Sequence, residues 1–288
     1  YIEHYLHNDY VLYGDGESDN SKPQATMADI ADQMRSIQGM DTVEVNRSAK
    51  VRLPFDAELY APFIETEDDP ESLATFYETT TNSEAQYGAP LISVNSDMIK
   101  LYNKTARQKI DIDAFEKGEV CLIGYVDSIS ASERMTDKTL TLVNDQTGRK
   151  RQITVGAAMM RTEQSAITAG YYWTLGGAPE AIFVSDAVMD DLFPDAEISC
   201  IIADAEKGKE SEVTPYVQRI VKENPVIAGS DIKSVEGSEF KKSMLSLEVI
   251  GGGMSIILIL IGVVNYINVM ITGVYTRKLE LAVLESVG

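Results

Sequence analysis

Two stretches of the chain repeat one order of patterns. The first starts with an apolar tetrad at Tyr10–Tyr13, crosses a polar loop, and enters a stripe at Met27, Ile30, Ala31 and Met34. Spacings of three and four set those side chains on one helix face, so a helix is predicted from about Met27 to Gln38. Thr26 precedes it as an N-cap with Asp29 three residues on, the pattern of a capping box, and Gly39 is placed to end it. Alternation in TVEVNRSAKVRL then predicts a strand over Thr42–Leu53. The second stretch predicts a strand at Ile198–Ala203, a helix at Thr214–Glu223 and a strand at Asp231–Val235. Thr214 and Pro215 read as N-cap and first helical residue, and Val213, Val217, Ile220 and Val221 form the stripe. If these two β-α-β units pack together they make a split, ferredoxin-like layer.

A strand-rich stretch separates them. Strands are predicted at Pro90–Val94, Glu119–Val126, Thr139–Val143, Arg149–Val155 and Ala181–Val184, with helices at Ser96–Thr105 and Asp186–Leu192. LTLVNDQTGRKRQITV reads as a hairpin turning at Asp145–Gly148. Before it, Glu65–Pro90 is polar and acidic and reads as a long loop or mobile helix. The predicted class is α+β, with residues 1–64 and 195–237 as one subdomain and residues 65–194 inserted as another. From Ser238 the pattern becomes helical and flows into an apolar run without a proline: a stalk over 238–248, a membrane helix over 249–272, and a final segment over 273–288.

That run changes the picture most. No charged residue lies between Val249 and Thr276, while Glu248 and Arg277 bound the stretch. A bilayer core of about 30 Å takes about 20 apolar residues in a helix. A buried helix of a soluble protein is seldom apolar around its whole circumference over such a length. Gly251, Gly252, Gly253 and Gly262 weaken a helix in water but allow close packing in lipid. Arg277 and Lys278 directly after the run mark that end as cytoplasmic. Asn265 and Asn268, three apart, place two amides where an unpartnered amide is costly, so their face is expected to pack, with Gly262, on other helices.

The net charge of −20 then falls on the residues before the run, in an extracytoplasmic region. So acidic a surface repels phosphates and argues against nucleic-acid binding. Cys121 and Cys200 sit in apolar strands and read as buried thiols, with a single disulfide left open. The chain begins without Met and ends inside a pattern, which reads as a fragment.

Catalytic patterns find little support. No GxxxxGK[ST] loop occurs, and EKGKES around Gly208 lacks the upstream glycine, so ATP is expected to bind elsewhere than on this chain. His4 and His7 are the two histidines; HYLH lacks the glutamate and the spacing of a zinc protease helix. The carboxylates of ETEDDPE do not follow calcium-loop spacing. Tyr171, Tyr172 and Trp173 suit either core packing or a ligand edge. No catalytic, metal or cofactor residue is assigned.

The terminal stretch IGVVNYINVMITGVYTRKLELAVLESVG closely resembles the FtsX-like ABC transporter permease signature. The resemblance rests on Asn265 and Asn268, on Arg277, Lys278 and Glu280, and on the closing Ser286 and Gly288. The wider order of elements resembles a MacB-type periplasmic core domain. The resemblance implies a porter layer made of the two β-α-β units and a more variable inserted subdomain. It also implies further membrane helices outside this chain, a second permease copy, and a cytoplasmic ATPase subunit that binds the ATP. Thr276–Val287 would form a short cytoplasmic helix through which that subunit pushes, with Arg277, Lys278, Leu279, Glu280, Val283, Leu284 and Val287 as the coupling segment. Leu279, Val283 and Val287 line one face of it. The implied function is mechanotransmission in the bacterial plasma membrane: a non-enzymatic permease moves its outer domain to export or clear a peptide, antibiotic or lipid-linked substrate. The alternative is an FtsX-like scaffold that activates a cell-wall hydrolase or senses antimicrobial peptides.

Overall fold

A computed structural model describes residues 7–14, 25–54, 88–126, 129–160 and 181–288. His4, most of the acidic stretch Glu65–Pro90, and Tyr171–Trp173 lie outside the described residues. The chain divides into two compact units, Tyr1–Ser234 and Val235–Gly288.

The first unit is built on a mixed sheet. Its strands are β1 (Tyr10–Gly14), β2 (Met40–Arg52), β3 (Gly88–Ser93), β4 (Val120–Val126), β5 (Thr139–Val143), β6 (Lys150–Met160), β7 (Ala181–Val184), β8 (Glu197–Ala205) and β9 (Ile227–Ile232). Helix α1 (Met27–Arg35) follows β1, and α2 (Ser96–Thr105) and α3 (Ile112–Glu116) follow β3. After β4 comes α4 (Ile129–Met135), after β7 α5 (Asp186–Leu192), after β8 α6 (Glu210–Glu223), and after β9 α7 (Lys233–Val287). The order across the sheet is β3-β7-β4-β6-β5-β2-β8-β1-β9, and β3 also pairs back onto β2. Strands β2, β3, β7, β4, β6 and β5 therefore close into a ring, and β8, β1 and β9 extend from the same β2.

Strand β2 serves both parts because it is long enough, at 13 residues, to change partners. Met40–Ser48 pair with β8, Ser48–Arg52 pair with β3, and Arg52 also meets Val143 of β5. A register shift falls between Asn46 and Arg47, near the point of exchange. Backbone groups set free at such a point need other partners. Here the Arg47 amide donates to Ser93 Oγ at 3.1 Å, and Ser199 Oγ donates to the Asn46 carbonyl at 3.3 Å. The Arg47 guanidinium adds ion pairs to Asp186 at 2.9 Å and Asp190 at 2.8 Å on α5.

Strand alternation sorts the core into two clusters. Val51, Leu91, Ile182, Ile123, Val155 and Leu140, one from each ring strand, are buried together, joined by Val188, Met189 and Leu192 of α5. The alternate residues Ile92, Phe183, Leu122 and Ala157 face a second cluster with Met98, Ile99 and Tyr102 of α2 and Phe115 of α3. That cluster continues through Val11, Tyr13, Cys200 and Ile202 of β1 and β8. Strands β2, β8, β1 and β9 are antiparallel to each neighbour. So β1 and β2 run parallel with β8 between them, and β8 and β9 run parallel with β1 between them. Helices α1 and α6 are the two crossovers. Tyr10 points toward α6, where its hydroxyl donates to the Glu210 carbonyl at 3.2 Å and lies 3.1 Å from Thr214 Oγ1.

Several elements coincide with the sequence reading. Helices Ser96–Thr105 and Asp186–Leu192 and strands Thr139–Val143 and Ala181–Val184 keep their expected bounds. The capping box forms, with the Asp29 amide donating to Thr26 Oγ1 at 3.2 Å and the Thr26 amide donating to Asp29 Oδ2 at 2.7 Å. The hairpin turn closes through the Gly148 amide on the Asn144 carbonyl at 2.8 Å, with Gly148 at φ +71°.

Others differ. Helix α1 stops at Arg35, and Gly39 (φ +93°) shapes the turn into β2 instead of capping the helix. Helix α6 begins at Glu210, not Thr214, so Pro215 lies inside it. The Thr214 hydroxyl donates back to the Glu210 carbonyl at 2.6 Å rather than capping. Strand β9 ends at Ile232, five residues after Ile227, so Val235 is helical. The reason is register: Ile232 already pairs with Tyr10, the first residue of β1, and the ladder runs out. Helix α3 was not anticipated, although Asp111 supplies a cap signal by accepting from the Ala114 amide at 2.9 Å.

Cys121 and Cys200 are free, buried, and in different clusters. Desolvation pushes the Cys121 thiol up to about 12 and raises that of Cys200 as well. In a maleimide assay at pH 8, both thiols should stay unmodified in the folded chain and react within the dead time once it is unfolded in denaturant.

Candidate functional site in the long helix

Helix α7 has 55 residues, roughly 80 Å at 1.5 Å per residue. Its segment Ile250–Val283 is long and apolar enough to cross a membrane, and its most apolar 18-residue stretch has a mean hydropathy of 2.3. Side chains on every face of it are exposed, among them Ile256, Leu258, Ile259 and, at 70%, Val269. Apolar surface in water costs about 25 cal/mol per Å², so this stretch calls for an apolar surrounding. Its serine and threonine hydroxyls are already satisfied within the helix. Ser255 Oγ donates to the Gly251 carbonyl at 2.9 Å, Thr272 Oγ1 to that of Asn268 at 2.8 Å, and Thr276 Oγ1 to that of Thr272 at 2.9 Å. No polar hydrogen of these side chains is left to face lipid.

Gly251, Ser255, Gly262, Asn265, Thr272 and Thr276 recur at spacings of three, four and seven and share one stripe. A Cβ built at Gly251 or Gly262 meets nothing within 4 Å. Asn268 stands about 60° further round the helix from Asn265, so Gly262 and Asn265 fall on the stripe and Asn268 beside it. Arg277, Lys278, Leu279, Glu280, Val283, Leu284 and Val287 lie on the last turns of the same helix. The expected helix over Thr276–Val287 is the end of α7, which runs unbroken to Val287.

At the other end, the first amide of α7 is tied to the chain entering the sheet. The Lys233 amide donates to the Asp9 carbonyl at 3.0 Å, next to the first ladder pair of β1 and β9. Asp9 is held in turn: its amide donates to Asp204 Oδ1 at 2.8 Å, and its Oδ2 accepts from the Ala205 amide at 3.1 Å. Asn8 Nδ2 donates to Asp204 Oδ2 at 2.8 Å. Ser234 Oγ lies 3.2 Å from Thr214 Oγ1, which also touches Tyr10. Sequence reasoning passed over Asp9 and Asp204. Each flanks an apolar strand, but that the two strands are neighbours in opposite directions is visible in three dimensions alone. Burial raises the Asp9 carboxyl above its ordinary range, with the Asp204 charge adding to it and the Ala205 amide partly offsetting it. Among the described residues, no group of histidine, cysteine and carboxylate side chains is placed to hold a metal ion.

No family model matches the sequence. No curated protein matches it either. Solved structures similar to the chain include two that cover most of it. One is the periplasmic region of MacB from Actinobacillus actinomycetemcomitans, at 10% identity, with 81% of this chain and 91% of that one covered and a TM-score of 0.40. The other is the extracellular domain of the noncanonic ABC-type transporter YknZ from Gram-positive bacteria, at 10% identity, with 72% and 88% covered and a TM-score of 0.36.

Two outcomes follow from the helix and its base. Leu260→Arg, in the middle of the charge-free run, should raise the apparent insertion free energy by about 3 kcal/mol; glycosylation mapping in microsomes should show the inserted fraction fall. Asp9 has its folded pKa raised above the ordinary 3.8, so its contribution is most favourable below that value and is lost as pH rises through the folded pKa. Melting curves from pH 3.5 to 7 should therefore show wild type losing ground to Asp9→Asn as pH rises, with the two closest at the acid end.

Proposed function

We propose that this chain is the extracytoplasmic domain and following membrane helix of an FtsX/MacB-like ABC transporter permease. On this reading a separate cytoplasmic ATPase subunit drives movement, α7 carries it across the bacterial plasma membrane, and the sheet domain outside acts on substrate. The observation that carries the reading is α7 itself: β9 ends at Ile232, the helix starts at Lys233, and it continues through a charge-free run to the basic pair Arg277 and Lys278.

Three further features support it. The signature of Asn265, Asn268, Arg277, Lys278 and Glu280 stands at the membrane end of the chain. The antiparallel order β9-β1-β8-β2, with α1 and α6 as crossovers, suits a split β-α-β porter layer, and the ring suits an inserted subdomain. Chain entry at Asp9 and exit at Lys233 are hydrogen-bonded neighbours, as a domain inserted between two membrane helices requires. The substrate class is a peptide, an antibiotic or a lipid-linked molecule, handled outside the membrane by a permease pair with two ATPase subunits.

The test is ATP turnover by the full-length parent protein with its ATPase subunit in nanodiscs, against antimicrobial peptides and lipid-linked precursors. Stimulation by one compound is expected. Turnover that no compound alters would favour the scaffold reading, and absence of any associating ATPase would overturn the assignment. Val283→Glu, on the coupling segment, should cut copurification of the ATPase by about tenfold, the effect of about 1.4 kcal/mol at a buried apolar contact.

A further inference from the structure

Asp9, Asp204, Tyr10, Thr214, Lys233 and Ser234 come from four separate places in the sequence and meet at one corner of the sheet unit. The chain enters there through Asn8 and Asp9 and leaves there through Lys233. The two passages are bonded directly, Lys233 amide to Asp9 carbonyl, at 3.0 Å. Each is also fastened to a neighbouring element: the entry to the end of β8 through Asp204 and Ala205, the exit to α6 through the Thr214 and Ser234 hydroxyls 3.2 Å apart. Beyond this corner β1 and β9 are antiparallel neighbours, with Tyr10 opposite Ile232 and Val11 opposite Asp231. A load that separates entry from exit therefore peels one rung at a time, and the Asp9–Lys233 bond is the first rung.

We propose that this corner is a force-bearing joint, in which the Lys233 amide on the Asp9 carbonyl locks the start of α7 to the entering strand, so that the two connections of the domain move as one. Its role in transport rests on the permease reading; its role as the first rung does not. Lys233 is well placed for a clean test. It is the first residue of α7, where proline is tolerated and a missing N–H costs the helix nothing, and the residue before it is in a strand, as proline prefers. Lys233→Pro thus deletes one hydrogen bond, and Lys233→Ala removes the charge while keeping the bond.

Handles attached through cysteines introduced at His7 and Met244 allow the 288-residue chain to be held under constant low force in detergent. The first opening should be about fivefold faster in Lys233→Pro than in Lys233→Ala, the effect of one net hydrogen bond. Equal rates in the two variants overturn the joint. In nanodiscs with the ATPase, Lys233→Pro in the full-length parent should keep basal turnover and lose about twofold or more of the ligand-stimulated part. Faster opening with stimulation intact overturns the coupling role. If wild type itself recruits no ATPase, the permease reading fails and the pulling result alone decides the joint. Should Lys233→Pro not fold, replacing Lys233 by its α-hydroxy analogue, which turns the amide into an ester and deletes the same donor, takes its place in both measurements, with the same direction expected and unchanged rates overturning the proposal.

Discussion

Everything in the sheet unit depends on β2 having two sets of partners. Its first residues satisfy β8 and its last satisfy β3, so one strand carries both the open antiparallel part and the closed ring. Changing partners in mid-strand leaves backbone groups that the ladders do not use, and water cannot reach all of them: Asn46 is 4% exposed. Ser93 and Ser199 fill that need from two different strands, and the Arg47 guanidinium adds ion pairs to α5 beside them. A bend without those side chains would leave unpaired amides under an apolar cover, at about 1–3 kcal/mol each.

Ring closure has a second effect. Each ring strand has neighbours on both sides, as do β8 and β1, so among the described strands β9 is the one open edge. That edge is short and follows Pro225. It carries Gly229 and Asp231, the latter accepting from the Tyr13 hydroxyl at 2.5 Å. Short length, a charge and a nearby proline are the features that keep edges from pairing with other chains. An acidic surface adds to that protection, because like-charged domains repel at close range.

Most local signals were legible where local physics decides, the Asp111 cap of α3 excepted. The Thr26–Asp29 box, the Asp145–Gly148 turn and the helices at Ser96 and Asp186 all depend on contacts a few residues apart, and they stand where the pattern put them. Errors gathered where a distant partner sets the boundary. Strand β9 ends at Ile232 because β1 supplies no further rung, and Thr214 turns inward because Tyr10 and Glu210 are waiting for its hydroxyl. For the same reason the ring escaped notice: its strands were each visible, but the pairing of β3 with β2 is written nowhere in either segment. Of the candidate site, the apolar run and its flanking charges were plain, since length and polarity alone define them. The corner at Asp9 and Lys233 was not, because it is made by residues more than two hundred positions apart.

That separation bears on the order in which the molecule takes shape. Strand β1 is made first of the nine, yet both of its neighbours come from the far end of the unit, Asn8 reaching Asp204 across 196 positions. Closing so long a loop is slow, and contacts that depend on it form late. The ring can gather by nearer pairings, such as β5 with β6, while β1 waits. For that interval its tetrad Tyr10–Tyr13 is an uncovered apolar segment, open to misassociation until β8 and β9 have been synthesised.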